Sequence, residues 1–150
     1  YRLRFSNDER AKITALIRHH LICYSDTWTD GAVRRWLRRV TPELAPDLYE
    51  LGIADAMGKG REAGEDIASL GKLKERVEAI IAAGNALSPK DLAINGNDIM
   101  KELNLLPGRI VGQILERLIE RVTDEPSENE RDVLLQAARE ALEELRGAEG

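Results

Sequence analysis

Residues 65–83 read Glu65-Asp66-Ile67-Ala68-Ser69-Leu70-Gly71-Lys72-Leu73-Lys74-Glu75-Arg76-Val77-Glu78-Ala79-Ile80-Ile81-Ala82-Ala83, the longest stretch of one period in the chain. Ile67, Leu70, Leu73, Val77, Ile80 and Ile81 recur three or four residues apart. That spacing puts apolar side chains on one face of an α-helix, whereas a strand turns over at every residue. Gly84 follows as a left-handed stop.

The same reading extends in both directions. Upstream, Ser6 and Glu9 form a capping box that opens a helix to about Ile22, with Ile13, Leu16, Ile17 and Leu21 on one stripe. Thr29 or Asp30 caps a second helix through Val40, with Val33, Trp36, Leu37 and Val40 inward. Thr41-Pro42 starts one short turn, and a helix over about 46–57 ends at Met57-Gly58-Lys59-Gly60. Downstream, Ser88-Pro89-Lys90-Asp91 starts a short helix. Asn95-Gly96 is a turn, and another helix runs from Asn97-Asp98 to about Leu103. Leu106-Pro107-Gly108 turns into a helix ending near Val122. Ser127 with Glu130 caps a last helix that stops before Gly147. No alternating pattern occurs, so the fold class is all-α, with a helical body over 1–84 and a smaller helical tail over 85–150.

Composition agrees. Hydrophobic residues make up 43% of the 150 residues, enough for a core, and charged residues 33%, enough for a solvated helical surface. No apolar run reaches the roughly 18–20 residues that span a membrane. The single cysteine, Cys23, excludes an internal disulfide and fits a reducing cytoplasm. The net charge of −5 argues against a generally basic nucleic-acid binder. The charge is uneven, however. Residues 1–61 hold 11 Lys and Arg against 8 Asp and Glu, and the remainder 11 against 19. Phosphate binding would use local patches, the first half being the better candidate.

Two patches stand out. Arg34 lies one turn below Arg38, and Arg35 below Arg39. Four guanidiniums with few local acids suit phosphate oxygens, which arginine pairs in bidentate fashion. They equally suit a solvated face paired to acids of neighbouring helices. In the tail, Asn95-Gly96-Asn97 and Pro107-Gly108 each precede a helix start, where free amides and the helix dipole favour an anion. Lys90, Lys101 and Arg109 add charge there. The competing reading is ordinary capping by Asn97 and Asp98. Adjacent histidines such as His19-His20 point about 100° apart on a helix, so they do not readily share one metal ion. With Asp55 they make an incomplete ligand set. Trp28 and Trp36 are eligible to stack bases, but Trp36 falls on the buried stripe and burial is the ordinary role of such side chains.

The tail segments Leu87-Ser88-Pro89-Lys90-Asp91-Leu92, Ile94-Asn95-Gly96-Asn97-Asp98-Ile99-Met100, Pro107-Gly108 and Ile110-Val111-Gly112-Gln113-Ile114-Leu115 resemble the tail of bacterial CCA-adding tRNA nucleotidyltransferases. Leu118-Ile119-Glu120-Arg121-Val122 and Asn129 continue the likeness. Upstream, Leu3-Arg4-Phe5-Ser6-Asn7, Ile17-Arg18-His19-His20, Trp28-Thr29-Asp30, Val33-Arg34-Arg35 and Ala54-Asp55-Ala56 with Gly58-Lys59-Gly60 resemble the neck and body of that family, which includes poly(A) polymerases. The resemblance implies a catalytic head with a Gly-Ser motif and paired aspartates that bind two metals, and a neck that reads ATP and CTP. That constellation is missing from this sequence, and Asp55-Ala56-Met57 does not replace it. The expectation is therefore a non-catalytic portion of such an enzyme, opening at Tyr1 without an initiator Met. Magnesium and ATP or CTP would belong to the absent head. The partner implied is the elbow of tRNA, where the D and TΨC loops meet, held by shape and backbone. Two other readings stand beside it. One is a helical protein-interaction module or homodimer face, suited by the acidic second half and the 65–83 helix. The other is a remnant metal-dependent phosphohydrolase around His19, His20 and Asp55.

Overall fold

The computed structural model describes residues 4–60, 63–84 and 88–148. Of the residues quoted above, Tyr1, Leu3 and Leu87 lie outside them. Among the described residues there are seven α-helices and no strand: α1 Asn7–His19, α2 Asp30–Val40, α3 Ala45–Lys59, α4 Ala63–Ala82, α5 Gly96–Leu103, α6 Arg109–Asp124 and α7 Arg131–Ala148. The fold is all-α. No described helix is long and apolar enough to cross a membrane. The chain divides into two compact units, Tyr1–Ala82 and Ala83–Gly150.

In the first unit α4 packs against α3 and α2. The periodic residues of α4 explain this, since Leu70, Leu73, Val77 and Ile80 are buried while Ile81 lies at the edge, 46% exposed. From α2, Val33, Trp36, Leu37 and Val40 are all buried, as their spacing requires. Trp36 stacks on Tyr49 of α3 with ring centroids 6.1 Å apart. The Thr29 side chain caps α2 by accepting the Ala32 amide. At the other end Thr41 closes α2 with φ 69° and ψ 147°, its amide donating to the Leu37 carbonyl at 2.8 Å. A β-branched residue at positive φ is strained, at a typical cost of about 1–3 kcal/mol. Pro42 drives the preceding residue to extended ψ. The amides of Leu44 and Ala45 then bond the Thr41 carbonyl and hold it there.

Three boundaries and one face differ from expectation; the last helix, expected to stop before Gly147, runs on to Ala148. The first helix stops at His19, short of Ile22, and His20 Nδ1 donates to the Ile17 carbonyl at 2.6 Å at its end. α1 keeps its Ser6–Glu9 capping box but buries no residue. Ile13, Ile17 and Leu21 are 37%, 65% and 68% exposed and Leu16 is half-buried, so most of that apolar stripe lies uncovered in this unit. Ser127 does not cap the last helix. It sits in a 3-10 turn over Pro126–Glu128 and its hydroxyl donates to Glu125, so that α7 starts at Arg131.

The second unit is built around α6. Ile114, Leu118, Ile119 and Val122 of α6 pack with Ile99 of α5, with Leu92 and Ile94, and with Leu134, Ala138 and Leu142 of α7. The 88–91 segment is a 3-10 turn over Pro89–Asp91, capped by Ser88 and Asp91.

Candidate nucleic-acid interface

At 100° per residue, Val33, Trp36, Leu37 and Val40 fix the inner face of α2. Arg34, Arg35, Arg38 and Arg39 then fan across the opposite side. Burial matches this: Arg35 and Arg39 are exposed, and Arg34 and Arg38 are half-buried at the flanks. The arginine face is thus the necessary back of the apolar stripe. The one acid in the first turn of α2, Asp30, is taken by Arg76 of α4, whose guanidinium donates to Asp30 at 2.5 Å and to the Tyr24 hydroxyl at 3.3 Å. The Arg76 hydrogen bond, offset in part by burial, holds the Asp30 carboxyl below its ordinary range. Arg34, Arg35 and Arg38 also take part in contacts within the chain.

Arg39 leads to a feature that the sequence reading passed over. It stands on the rim of a cleft of about 410 Å³ between α1 and the α2–α3 turn, with Lys12 and His19 on the α1 side. Lys12 pairs with Asp47 of α3. Among the described residues Arg39 makes no hydrogen bond or ion pair. A second groove along α1 shares Ala11, Ala15 and His19 with that cleft and adds Arg10 and Arg18. The signal was present in the sequence. Lys12, Ala15 and His19 recur at helical spacing, as do Arg10, Thr14 and Arg18. What the spacing did not give was which face of α1 meets the end of α2.

In the second unit the two helix starts differ. Asn95 caps α5: its Oδ1 accepts the amides of Asn97 at 2.8 Å and Asp98 at 3.2 Å, and Asp98 reaches back to the Asn95 amide at 2.9 Å. Those amides are already engaged. Asp98 also accepts from Arg131 of α7 at 2.9 Å. α6 begins after Gly108 with no side-chain cap and no acid in its first turn, and Gly108 and Arg109 are both exposed. A Cβ on Gly96 would lie 3.4 Å from Val111 and 3.7 Å from Leu115, so the start of α5 rests on the first turns of α6. Lys90, Asn97 and Lys101 are exposed on the same unit. Arg117, Arg121, Arg131 and Arg139 instead pair with acids.

The histidines separate. His20 lines a cleft of about 210 Å³ with Cys23, Asp55 and Lys59, while His19 lies in the α1–α2 cleft. Asp55 pairs with Lys59 at 2.7 Å. Among the described residues no three His, Cys, Asp or Glu side chains are grouped to hold a metal ion. Trp36 is buried, and Trp28 is half-buried with its ring edge-on to Tyr24 at 5.6 Å.

Comparison with known proteins fits this all-helical pair of units. The profile of the family described as tRNA nucleotidyltransferase domain 2 matches residues 2–138. The chain belongs to that family. A CCA-adding enzyme of Ligilactobacillus salivarius is 35% identical over 57 residues, 38% of this chain and 14% of the relative. An A-adding tRNA nucleotidyltransferase of Deinococcus radiodurans is 32% identical over 126 residues, 79% of this chain and 27% of the relative. The chain therefore spans less than a third of the length of either relative. No solved structure matches it significantly. The tRNA nucleotidyltransferase domain 2 profile takes in both units, including the arginine face of α2 and the α5–α6 hairpin.

Proposed function

We propose that the chain is the non-catalytic, tRNA-binding portion of a tRNA nucleotidyltransferase. It holds the elbow of tRNA by shape and backbone, so that a separate catalytic head adds nucleotides at the 3′ end. The observation that carries this reading is the outward arginine face of α2 in a member of a tRNA nucleotidyltransferase domain family. Guanidiniums spaced one turn apart match successive phosphates of a backbone, and recognition of A-form RNA by contour needs no base code. The open start of α6 at Gly108-Arg109, with Lys90 and Lys101 on the same unit, is the second contact. The capped start of α5 at Asn95, Gly96 and Asn97 serves by positioning that hairpin. Metal ions, ATP and CTP belong to the head, and the two relatives, one CCA-adding and one A-adding, leave either nucleotide outcome to it.

The test is a filter-binding titration of the chain with tRNA at low salt. Binding should be weak and salt-sensitive, since neutralised phosphates release counterions. Arg35→Glu combined with Arg38→Glu should weaken it at least tenfold, about 1.4 kcal/mol. Unchanged affinity, or equal affinity for an unrelated hairpin, overturns the reading.

The exposed Ile13, Ile17 and Leu21 of α1 favour a second reading, a protein-interaction or dimer face. Light scattering on the eluting chain, with and without tRNA, separates the two.

A further inference from the structure

The cleft between α1 and the α2–α3 turn has more than charge. Its floor is apolar, made by Ala11 and Ala15 of α1, Val40 of α2 and Leu44. Its rim carries three basic side chains, Lys12, His19 and Arg39, and one acid, Glu43. Glu43 is held in place: its own backbone amide and the Thr41 hydroxyl both bond its carboxylate and keep it ionised below its ordinary range. Thr41 presents that hydroxyl from the strained backbone described above. Lys12 is tethered to Asp47, while Arg39 has no partner among the described residues.

A bare phosphate would need the cations and no floor. A purely apolar ligand would need the floor and no cations. The combination, at about 410 Å³, falls within the roughly 300–1,000 Å³ range of small-molecule sites. It suits a group with a flat apolar body, a hydroxyl-bearing middle and an anionic end. We propose that this cleft takes one unpaired nucleotide of a bound RNA. The base lies over Ala11, Ala15 and Leu44, the phosphate meets Arg39 and Lys12, and the Glu43 carboxylate accepts from a ribose hydroxyl or a base amino group. The proposal deepens the RNA-binding reading and rests on it. A backbone gripped by the α2 face delivers a splayed base to the end of α2, where Arg39 stands. Splayed, unstacked bases are what proteins recognise in folded RNA, because a paired base hides its faces.

The full chain, labelled for amide NMR, is titrated with AMP, CMP, GMP and UMP, and separately with inorganic phosphate. Saturable shifts at Ala11, Ala15 and Leu44 with the nucleotides and not with phosphate support the site. Arg39→Ala should weaken nucleotide binding about fivefold or more. Ala15→Trp, which fills the floor, should abolish it with the helical circular dichroism unchanged. A hairpin with one unpaired nucleotide should bind more tightly than its fully paired counterpart, and Ala15→Trp should erase that preference. Nucleotide shifts confined to the arginine amides, or a preference that survives Ala15→Trp, overturn the proposal. If tRNA affinity falls with the Arg35→Glu, Arg38→Glu variant while nucleotides ignore the cleft, the cleft proposal fails and the RNA-binding reading stands. If nucleotides fill the cleft while that variant binds tRNA normally, the α2 reading fails instead.

Discussion

Asn129 and Asp91 are joined across 38 positions of sequence: the Asn129 side-chain amide donates to the Asp91 carbonyl at 3.0 Å. Its oxygen accepts the Ala93 amide at 2.8 Å. One carboxamide thus supplies both a donor and an acceptor to the turn before α5.

Asn129→Ala should therefore destabilise the second unit by about 1–2 kcal/mol, the worth of two hydrogen bonds with partners left unmade. Asn129→Asp should do as badly, because it removes the donor to Asp91. Thermal unfolding followed by circular dichroism checks both.

Tyr49 is buried against Trp36, and among the described residues its hydroxyl has no hydrogen-bond partner. Tyr49→Phe should be neutral or stabilising by up to about 1 kcal/mol, since an unpaired buried hydroxyl is a cost. Burial, then the nearby Glu78 charge, pushes the Tyr49 phenol upward from 10.0. A raised folded-state value means stability is fully present below the unfolded value and is lost as pH climbs above about 10. Denaturant melts between pH 9 and 11 should show that loss in the parent and less of it in Tyr49→Phe.

Asp98 has the opposite sign. The Asn95 amide first, and Arg131 second, hold its carboxyl below 3.8. Its contribution is present above the unfolded value and disappears as pH falls through the folded one. Asp98→Ala should lower the Tm of the second unit by a few degrees at neutral pH. The gap between variant and parent should close in acid below pH 4, and a gap that persists there would assign the loss to packing.

Gly112 lies in the first turns of α6, exposed, and a Cβ there would meet nothing within 4 Å. Gly112→Ala should raise stability by about 0.5–1 kcal/mol through helix propensity. On the RNA-binding reading, the missing side chain leaves room for a backbone at the α6 start. tRNA affinity should then drop about threefold or more while stability rises, 0.7 kcal/mol or so in binding. Unchanged affinity would move the RNA away from this end of α6.

Much of the fold was legible because local chemistry and tertiary need agree. The four buried residues of α2 and those of α4 sit where a 3.6-residue period puts them, and Thr29 and Ser6 cap the helices that follow, whereas Asn95, read as a turn residue, caps α5 in place of Asn97. Ser127 misled because a capping box is a local pattern, and the proline before it favoured a 3-10 turn instead. The α1 stripe misled for a different reason. Periodicity states that a face is apolar and is silent on whether anything covers it. The arginine face could be read from spacing alone. The cleft beside it could not, because it joins Lys12 and His19 to Arg39 and Glu43, residues brought together only by packing.

A helix that buries nothing is held by its capping box, by the Lys12–Asp47 pair and by thin contact with α3. Such a segment opens with little free energy. Its amides should exchange with solvent long before those of α6, and whatever comes to lie on Ile13, Ile17 and Leu21 would slow that exchange. For α1, order and occupancy become a single equilibrium, so protection of this one helix reports a bound partner without any label on the partner itself.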